Sequence, residues 1–357
     1  MKKLSAYLFV FLAIAVKSNG QDRFVLEGTI GQTPVVMQVY DEWAYYFYKS
    51  KRKGIQLNKI RNANGRMVLV KKEEDNESGK EIILEKIEIQ RTANRSLNEW
   101  KGYWVDKKGT QLKVYLKKID TTKYAFQSIP DLDFSSNEEM IYSKARLYGL
   151  TFVVDSVTRT GKYEIEWRHE PVSKVQSIRL KSGFPPSLLG KINAVLKKKE
   201  FSNLNEYFEC YALSRVDKDL EYDSWINGYF ISEDYLSVQA RLNAYCGGAY
   251  PSAGDASFTI DIKTGKEITA ITELFPFSGE TIVSILTKLY PAEMKKPASE
   301  EDCDYSEPHN WEYPEWYFTA QGLYVGTSFP HARYGCNGPE FSIIPYEVLK
   351  QYSKKNK

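Results

Sequence analysis

The chain has 357 residues, with 49 Lys and Arg against 46 Asp and Glu and an aromatic content of 14%. Three of the lysines and none of the acids lie in the first 20 residues, so the rest of the chain is formally neutral. It lacks the basic excess expected of a nucleic-acid-binding protein. This length is typical of two or three domains, and 26 tyrosines with many Val, Ile and Thr favour β-sheet.

The N-terminus has the pattern of a secretory signal peptide, predicted over residues 1–20. Lys2-Lys3 precede an apolar run over residues 4–16, and the small residues Ser18 and Gly20 suit a cleavage site. The run is shorter than the roughly 20 apolar residues that span a bilayer, and charges interrupt every later run. We expect cleavage near Gly20, a periplasmic or secreted location, and no transmembrane segment in the mature chain.

Residues 21–119 are predicted to form a small β domain. Glycines such as Gly28 stand at turn-like positions between runs of strand-forming residues, which cover residues 24–26, 35–39, 45–48, 100–104 and 112–116. A polar linker is predicted over residues 120–149. Near its end, Ser136 and Glu139 have the spacing of a capping box, which predicts the start of a short helix.

Residues 150–235 are predicted to form an α+β domain. Strand patterns occupy residues 150–154 and 163–167, and a helix is predicted to open at Pro185-Pro186-Ser187. One apolar stripe runs along this helix, made of Leu188, Ile192, Val195 and Leu196. The three lysines at 197–199 are expected near its C-terminal end, where the helix dipole favours cations.

Residues 236–357 are predicted to form a second α+β domain. Residues 258–268 alternate in polarity around a turn that contains Gly265, which is typical of a β-hairpin. Ser278 is the predicted N-cap of an amphipathic helix whose apolar face consists of Ile282, Ile285, Leu286 and Leu289. Strand patterns close the chain at residues 316–318, 323–325 and 341–344, before a short helix from Pro345.

These elements together predict a sheet-dominated α+β protein. An N-terminal all-β unit is followed by α+β units, each with an amphipathic helix packed on an antiparallel sheet. Four cysteines lie in the C-terminal part of the chain, and in an oxidising compartment an even count predicts two disulfides. Three pairings are possible, and we favour Cys210–Cys246 with Cys303–Cys336. A zinc site is the alternative, but there is no CxxC spacing and histidines are few.

The segment over residues 299–316 combines seven acids with interleaved aromatic residues, and no Lys or Arg occurs between Lys296 and Arg333. Rigid aromatic side chains beside carboxylates would suit the binding of a basic protein, which the charge would also steer. The candidate binding residues are Glu300, Glu301, Asp302, Tyr305, Trp311, Tyr313 and Trp316. The alternatives are a solvated loop with its tryptophans packed on a sheet, or a platform on which sugars stack.

The sequence shows no convincing catalytic, metal or cofactor pattern. His169, His309 and His331 are scattered, and there is no nucleophile elbow. Neighbouring acids such as Glu300 and Glu301 could in principle perform glycosidase chemistry, but adjacent acids in a polar loop are usually solvated. We therefore predict no catalytic residues, no metal and no cofactor.

Several motifs follow one another between about residues 240 and 352. They are Gly247-Gly248-Ala249 with Pro251, the turn at 261–266, Leu274-Phe275, residues 316–319 with Gly322-Leu323, Gly338-Pro339, and Ile344-Pro345-Tyr346 with Leu349-Lys350. In this order they resemble the C-terminal domain of the RsiV-type anti-sigma factors, the domain-of-unknown-function family 3298. Residues 150–235 are weakly similar to the domain that usually precedes it.

The resemblance implies a binding module, because the extracytoplasmic part of the RsiV-type proteins binds lysozyme. It adds Gly247, Gly248 and Tyr250 to the candidate binding residues, with Tyr250 in place of a histidine common in the family. His331 is expected near Tyr250. The prediction is an exported, non-enzymatic protein that binds lysozyme or another basic envelope-active protein. An enzyme acting on cell-wall polysaccharide, a glycan ligand, and a structural envelope module without a soluble ligand are the alternatives.

Overall fold

The computed structural model describes residues 23–63, 65–74, 79–92, 98–132, 134, 136–213, 220–247, 251–295 and 303–353. The predicted signal peptide lies outside these residues. Contacts divide the chain into two compact units: Met1–Tyr46 with Gln56–Ile119, and Phe47–Ile55 with Asp120–Lys357. The described residues form a sheet-dominated α+β protein with an all-β N-terminal unit, which confirms the predicted fold class.

Eight strands form a closed barrel in the N-terminal unit. They are β1 (Phe24–Ile30), β2 (Thr33–Val39), β3 (Trp43–Tyr48), β4 (Gly54–Ala63), β5 (Arg66–Glu74), β6 (Glu81–Arg91), β7 (Glu99–Asp106) and β8 (Gln111–Lys118). The barrel closes where β8 pairs with β1 in an antiparallel register from Leu26↔Lys118 to Ile30↔Val114. Closure leaves no unpaired sheet edge.

Fully buried aliphatic side chains fill the barrel, among them Leu26, Leu69, Ile87 and Leu116. Gly28 lies inside β1 and not at the turn that the sequence suggested. A Cβ there would stand 1.9 Å from the carbonyl oxygen of Tyr115, so the β1–β8 seam requires a glycine.

Within the described residues, the second unit contains four α-helices and three sheets. Its helices are α1 (Asn137–Leu147), α2 (Pro186–Leu213), α3 (Gly279–Leu289) and α4 (Tyr346–Leu349). Strands β9 (Val153–Thr160), β10 (Tyr163–His169) and β11 (Gln176–Ser182) form the first sheet. The second contains β12 (Glu221–Ile231), β13 (Tyr235–Tyr245), β14 (Ser252–Asp255), β15 (Phe258–Asp261) and β16 (Lys266–Ile268), and the third contains β17 (Trp316–Phe318), β18 (Gly322–Val325) and β19 (Ile343–Pro345).

The two predicted N-caps are confirmed. Ser136 accepts a hydrogen bond from the amide of Glu139 at the start of α1, and Ser278 does the same for Thr281 at the start of α3. The hairpin prediction is also confirmed, since β15 pairs with β16 across a turn in which Gly265 has a φ of 70°. These local signals come from side chains that act within a few residues, which is why the sequence alone reveals them.

Helix α2 is longer than predicted, so the predicted position of its three lysines near the C-terminal end is wrong. The helix continues to Leu213, so residues 197–199 lie in its middle and not near its C-terminus. Lys199 instead pairs with Glu267 of β16 at 2.5 Å. The predicted stripe does pack inward, with Ile192 and Leu196 buried against the first two sheets of this unit.

Both favoured disulfides are present, Cys210–Cys246 and Cys303–Cys336. Each links segments about thirty-five residues apart, and disulfides of this kind persist in oxidising compartments. In the described ranges, no helix is long and apolar enough to cross a membrane.

Candidate functional site

The structure describes some of the residues predicted to bind a ligand. Gly248, Tyr250, Glu300, Glu301 and Asp302 lie outside the described residues, and so does the side chain of His331. Gly247 follows β13 with a φ of 86°, a conformation that glycine adopts most readily.

One of the predicted binding aromatics is a core residue, and a second packs half-buried against that core. Trp311 is fully buried, and its Nε1 donates a hydrogen bond to the carbonyl oxygen of Tyr305 at 3.0 Å. Tyr305 packs edge-on against Phe329 and Phe341. Trp311 therefore has no surface to offer a partner, because the loop folds back and uses it to cover the C-terminal core. Tyr313, by contrast, is 81% exposed.

The end of the same segment lines a cavity of about 160 Å³. Glu315 and Trp316 form one wall of this first cavity, and residues of β14, β15 and β16 form the rest. Its lining consists of Asp255, Ser257, Phe258, Thr259, Glu267, Ile268, Thr269, Pro314, Glu315 and Trp316. Of the predicted binding residues, Trp316 lines this cavity.

A second cavity of about 330 Å³ adjoins the first. It lies between α2 and strands β11 to β13, and it shares Asp255, Ser257 and Phe258 with the first cavity. We call the two cavities together the groove. The ion pair between Lys199 and Glu267 links them, since Lys199 lines the second and Glu267 the first. The volume of the second cavity, about 330 Å³, lies in the range of small-ligand sites.

Asp255 and Glu315 form a carboxyl pair where the two cavities meet. The backbone amide of Asp255, the last residue of β14, donates a hydrogen bond to Oε1 of Glu315 at 3.1 Å. Oδ1 of Asp255 in turn accepts from the amide of Ser257 at 2.7 Å. Arg241, opposite Asp255 on β13, is the cation next to the pair.

The environment of the pair favours the protonated acids. Burial raises the pKa of Glu315 to about 7, and the negative charge of Asp255 adds to the increase. Burial also raises the pKa of Asp255, although hydrogen bonds from Ser257 and the charge of Arg241 oppose this change. At neutral pH, Glu315 is therefore close to half protonated and can donate as well as accept a hydrogen bond.

We expect this pair to make folding stability fall with rising pH. The folded state raises the pKa of Glu315 above its ordinary value. The contribution of Glu315 to the free energy of unfolding is therefore fully present below about pH 4.5 and is lost as pH rises through about 7. Urea unfolding of the wild type and of Glu315→Gln at a series of pH values measures the difference. The wild-type curve should decline more steeply in this window, and parallel curves would contradict the assignment.

A buried network of hydrogen bonds positions the polar side chains that line the second cavity. Glu200 of α2 accepts hydrogen bonds from Arg168 Nη2 at 2.7 Å and from Ser177 Oγ at 2.5 Å. Further along α2, Oδ1 of Asn203 accepts a hydrogen bond at 2.5 Å from the hydroxyl of Tyr222 on β12. The side-chain amide of Asn203 also contacts Ser224 on the same strand. These bonds fix hydroxyl, amide and carboxyl groups at the lining of a site, as a polar ligand requires.

Sequence reasoning missed most of this site. Asp255 stands in a short polar stretch without a recognisable motif, and Glu200 follows three lysines that suggest a solvated face. Among the described residues, no group of three or more His, Cys, Asp or Glu side chains is arranged to hold a metal ion.

Comparisons with known proteins add little. No family model matches the chain, and no curated protein matches it. The solved structures that match include a member of the domain-of-unknown-function family 3298 from Bacteroides fragilis, with a TM-score of 0.33 and 13% identity. The match covers 57% of this chain and 94% of that chain. The matched protein belongs to the family that the C-terminal motifs resemble. A likeness this weak supports no statement about the fold or the function of this chain.

Proposed function

We propose that this protein is a non-enzymatic binding protein that holds a saccharide in the groove. The observation that carries the proposal is the placement of Trp316 and the Asp255–Glu315 pair around one cavity. A sugar ring has an apolar face that packs on an aromatic side chain, and hydroxyl groups that exchange hydrogen bonds with carboxyl and amide groups. The groove provides both kinds of partner.

The proposal places the protein outside the cytoplasm. Its two disulfides suit an oxidising compartment, and the N-terminal sequence has the pattern of a signal peptide. A saccharide of the cell envelope is then the ligand that this protein would meet.

Lysozyme, or another basic protein, is the competing ligand that the family resemblance implies. The acids proposed for it are Glu300, Glu301 and Asp302, together with Tyr313, which is exposed. Trp311 cannot contribute because it is buried. A basic protein would bind through these acids rather than in the groove.

Hydrolysis of a glycan is a second candidate function, favoured by the acidity of Glu315. A glycosidase needs one carboxyl group with a raised pKa as general acid and a second carboxylate beside the sugar. Glu315, with a pKa of about 7, and Asp255 provide such a pair in a cavity. Release of reducing sugar from a cell-wall glycan, abolished in Glu315→Gln, would establish this activity.

Calorimetric titration of the oxidised protein with a chito-oligosaccharide and with soluble cell-wall glycan fragments tests the binding proposal. Trp316→Ala should weaken binding about tenfold or more, which is 1.4 kcal/mol or more, because it removes the stacking surface. Trp43→Ala is the matched control, since Trp43 is an exposed tryptophan of the barrel that lines neither cavity. Equal losses in both variants, or binding of a c-type lysozyme without any saccharide binding, would refute the proposal.

A further inference from the structure

The carboxyl pair of the groove has hydrogen-bonding capacity left over. Glu315 uses Oε1 for the amide of Asp255, and Asp255 uses Oδ1 for the amide of Ser257. No hydrogen bond to Oε2 of Glu315 is formed within the part of the chain that the structure describes. Because Glu315 lines the first cavity, a ligand seated there can contact its side chain.

Among the described residues, the charged and titratable groups around Glu315 lie on several strands, each on a strand of its own. Asp255 faces it from β14 and Arg241 from β13, with Tyr317 on β17 and Tyr324 on β18 packed beside them. Glu267 of β16 lines the same cavity but is neutralised by Lys199. Arg241, the cation that acts on Glu315 among the described residues, is exposed at the surface, so solvent screens its effect. Burial and the charge of Asp255 therefore outweigh the charge of Arg241, and the pKa of Glu315 is raised.

We infer that Glu315 is the specificity-determining hydrogen-bond donor of the groove: its protonated carboxyl group donates a hydrogen bond to the acetamido carbonyl oxygen of an N-acetylated saccharide, and the groove releases the ligand when that proton is lost. This inference rests on the proposed function. The physical reason is the contrast between the two states of the acid. A protonated carboxyl donates to an acetamido carbonyl oxygen, which can only accept, whereas a carboxylate would face that oxygen with no proton between them.

The inference predicts how affinity depends on pH. If only the protonated form binds, the apparent dissociation constant grows in inverse proportion to the fraction of Glu315 that is still protonated. With a pKa of about 7, affinity should be nearly constant below about pH 6 and should then fall about tenfold per pH unit above about pH 8.

Three variants separate the proton from the side chain. In Glu315→Gln, the amide still donates but does not titrate, so binding should persist and become independent of pH from 6 to 9. In Glu315→Ala, the donor is lost and binding should be weak at every pH. Glu312→Gln is the matched control, because Glu312 is an exposed acid three residues earlier that lines neither cavity. It should keep the wild-type pH profile.

A ligand-free measurement decides whether the proton is present at all. Trp316 is the next residue in the chain, so its fluorescence should report the ionisation of Glu315. The wild type and Glu312→Gln should show a transition near pH 7, and Glu315→Gln should lack it.

The outcomes distinguish the inference from the proposed function. A transition that persists in Glu315→Gln, or none in the wild type, overturns the inference whatever binds. Saccharide binding that does not vary with pH in the wild type overturns the inference and leaves the proposed function standing. Failure of a chito-oligosaccharide and of cell-wall glycan fragments to bind at any pH overturns the proposed function, and the inference with it. Pronounced weakening above pH 7 that Glu315→Gln removes supports both.

Discussion

Trp311→Ala should lower the free energy of unfolding by about 3–5 kcal/mol, the usual cost of truncating a fully buried tryptophan. Trp311 belongs to the core formed by α3 and the third sheet of the second unit, together with Ile282, Leu286 and Phe318. Its removal would leave a cavity there, and the hydrogen bond to the carbonyl oxygen of Tyr305 would be lost. Urea unfolding followed by circular dichroism measures the loss.

Tyr313→Ala is the control for this prediction, because Tyr313 lies two residues away and is exposed. Its substitution should change stability by no more than about 0.5 kcal/mol. The comparison also separates the two interpretations of the acidic segment. If Trp311→Ala left stability unchanged but abolished the binding of a basic protein, Trp311 would be a surface anchor and the packing described above would be wrong.

Glu200→Ala should have the second large effect, a loss of about 3–5 kcal/mol. The side chain of Glu200 is 1% exposed and forms the buried ion pair with Arg168. Removing it leaves the guanidinium of Arg168, which is itself mostly buried, without its counter-charge, and it also removes the acceptor of Ser177 Oγ. The free energy of unfolding, again from urea titration, is the measurement.

Lys198→Ala is the matched control for Glu200, since Lys198 is an exposed residue of the same helix. It should alter stability by less than about 0.5 kcal/mol. Equal stability of Glu200→Ala and Lys198→Ala would show that the polar network beneath the second cavity contributes nothing to folding.

The fold was predictable where a few neighbouring residues determine the structure. Ser136, Ser278 and the Gly265 turn each act locally, and the structure confirms all three. Three barrel strands, β4, β5 and β6, were missed because charged residues interrupt their apolar pattern: one barrel face meets solvent. Gly28 was mistaken for a turn residue because its role depends on the approach of Tyr115, 87 residues later in the chain.

The candidate site was less predictable because it is assembled from distant segments. Trp316 was found from its acidic, aromatic surroundings, but the same reasoning also selected Trp311, which the structure buries. Asp255 acquires its significance from a hydrogen bond to Glu315, sixty residues away, and no local pattern anticipates that contact. Burial, which raises the pKa of both acids, is likewise a property of the folded chain.

Amide chemical-shift mapping tests the central claim, that the groove is the ligand site. Isotope-labelled protein titrated with a chito-oligosaccharide at pH 6 should show its largest shifts at residues 255–259 and 314–316, with smaller ones along residues 199–206 of α2. Shifts confined to the barrel, or absent from both ends of the groove while the sugar binds, would contradict the account.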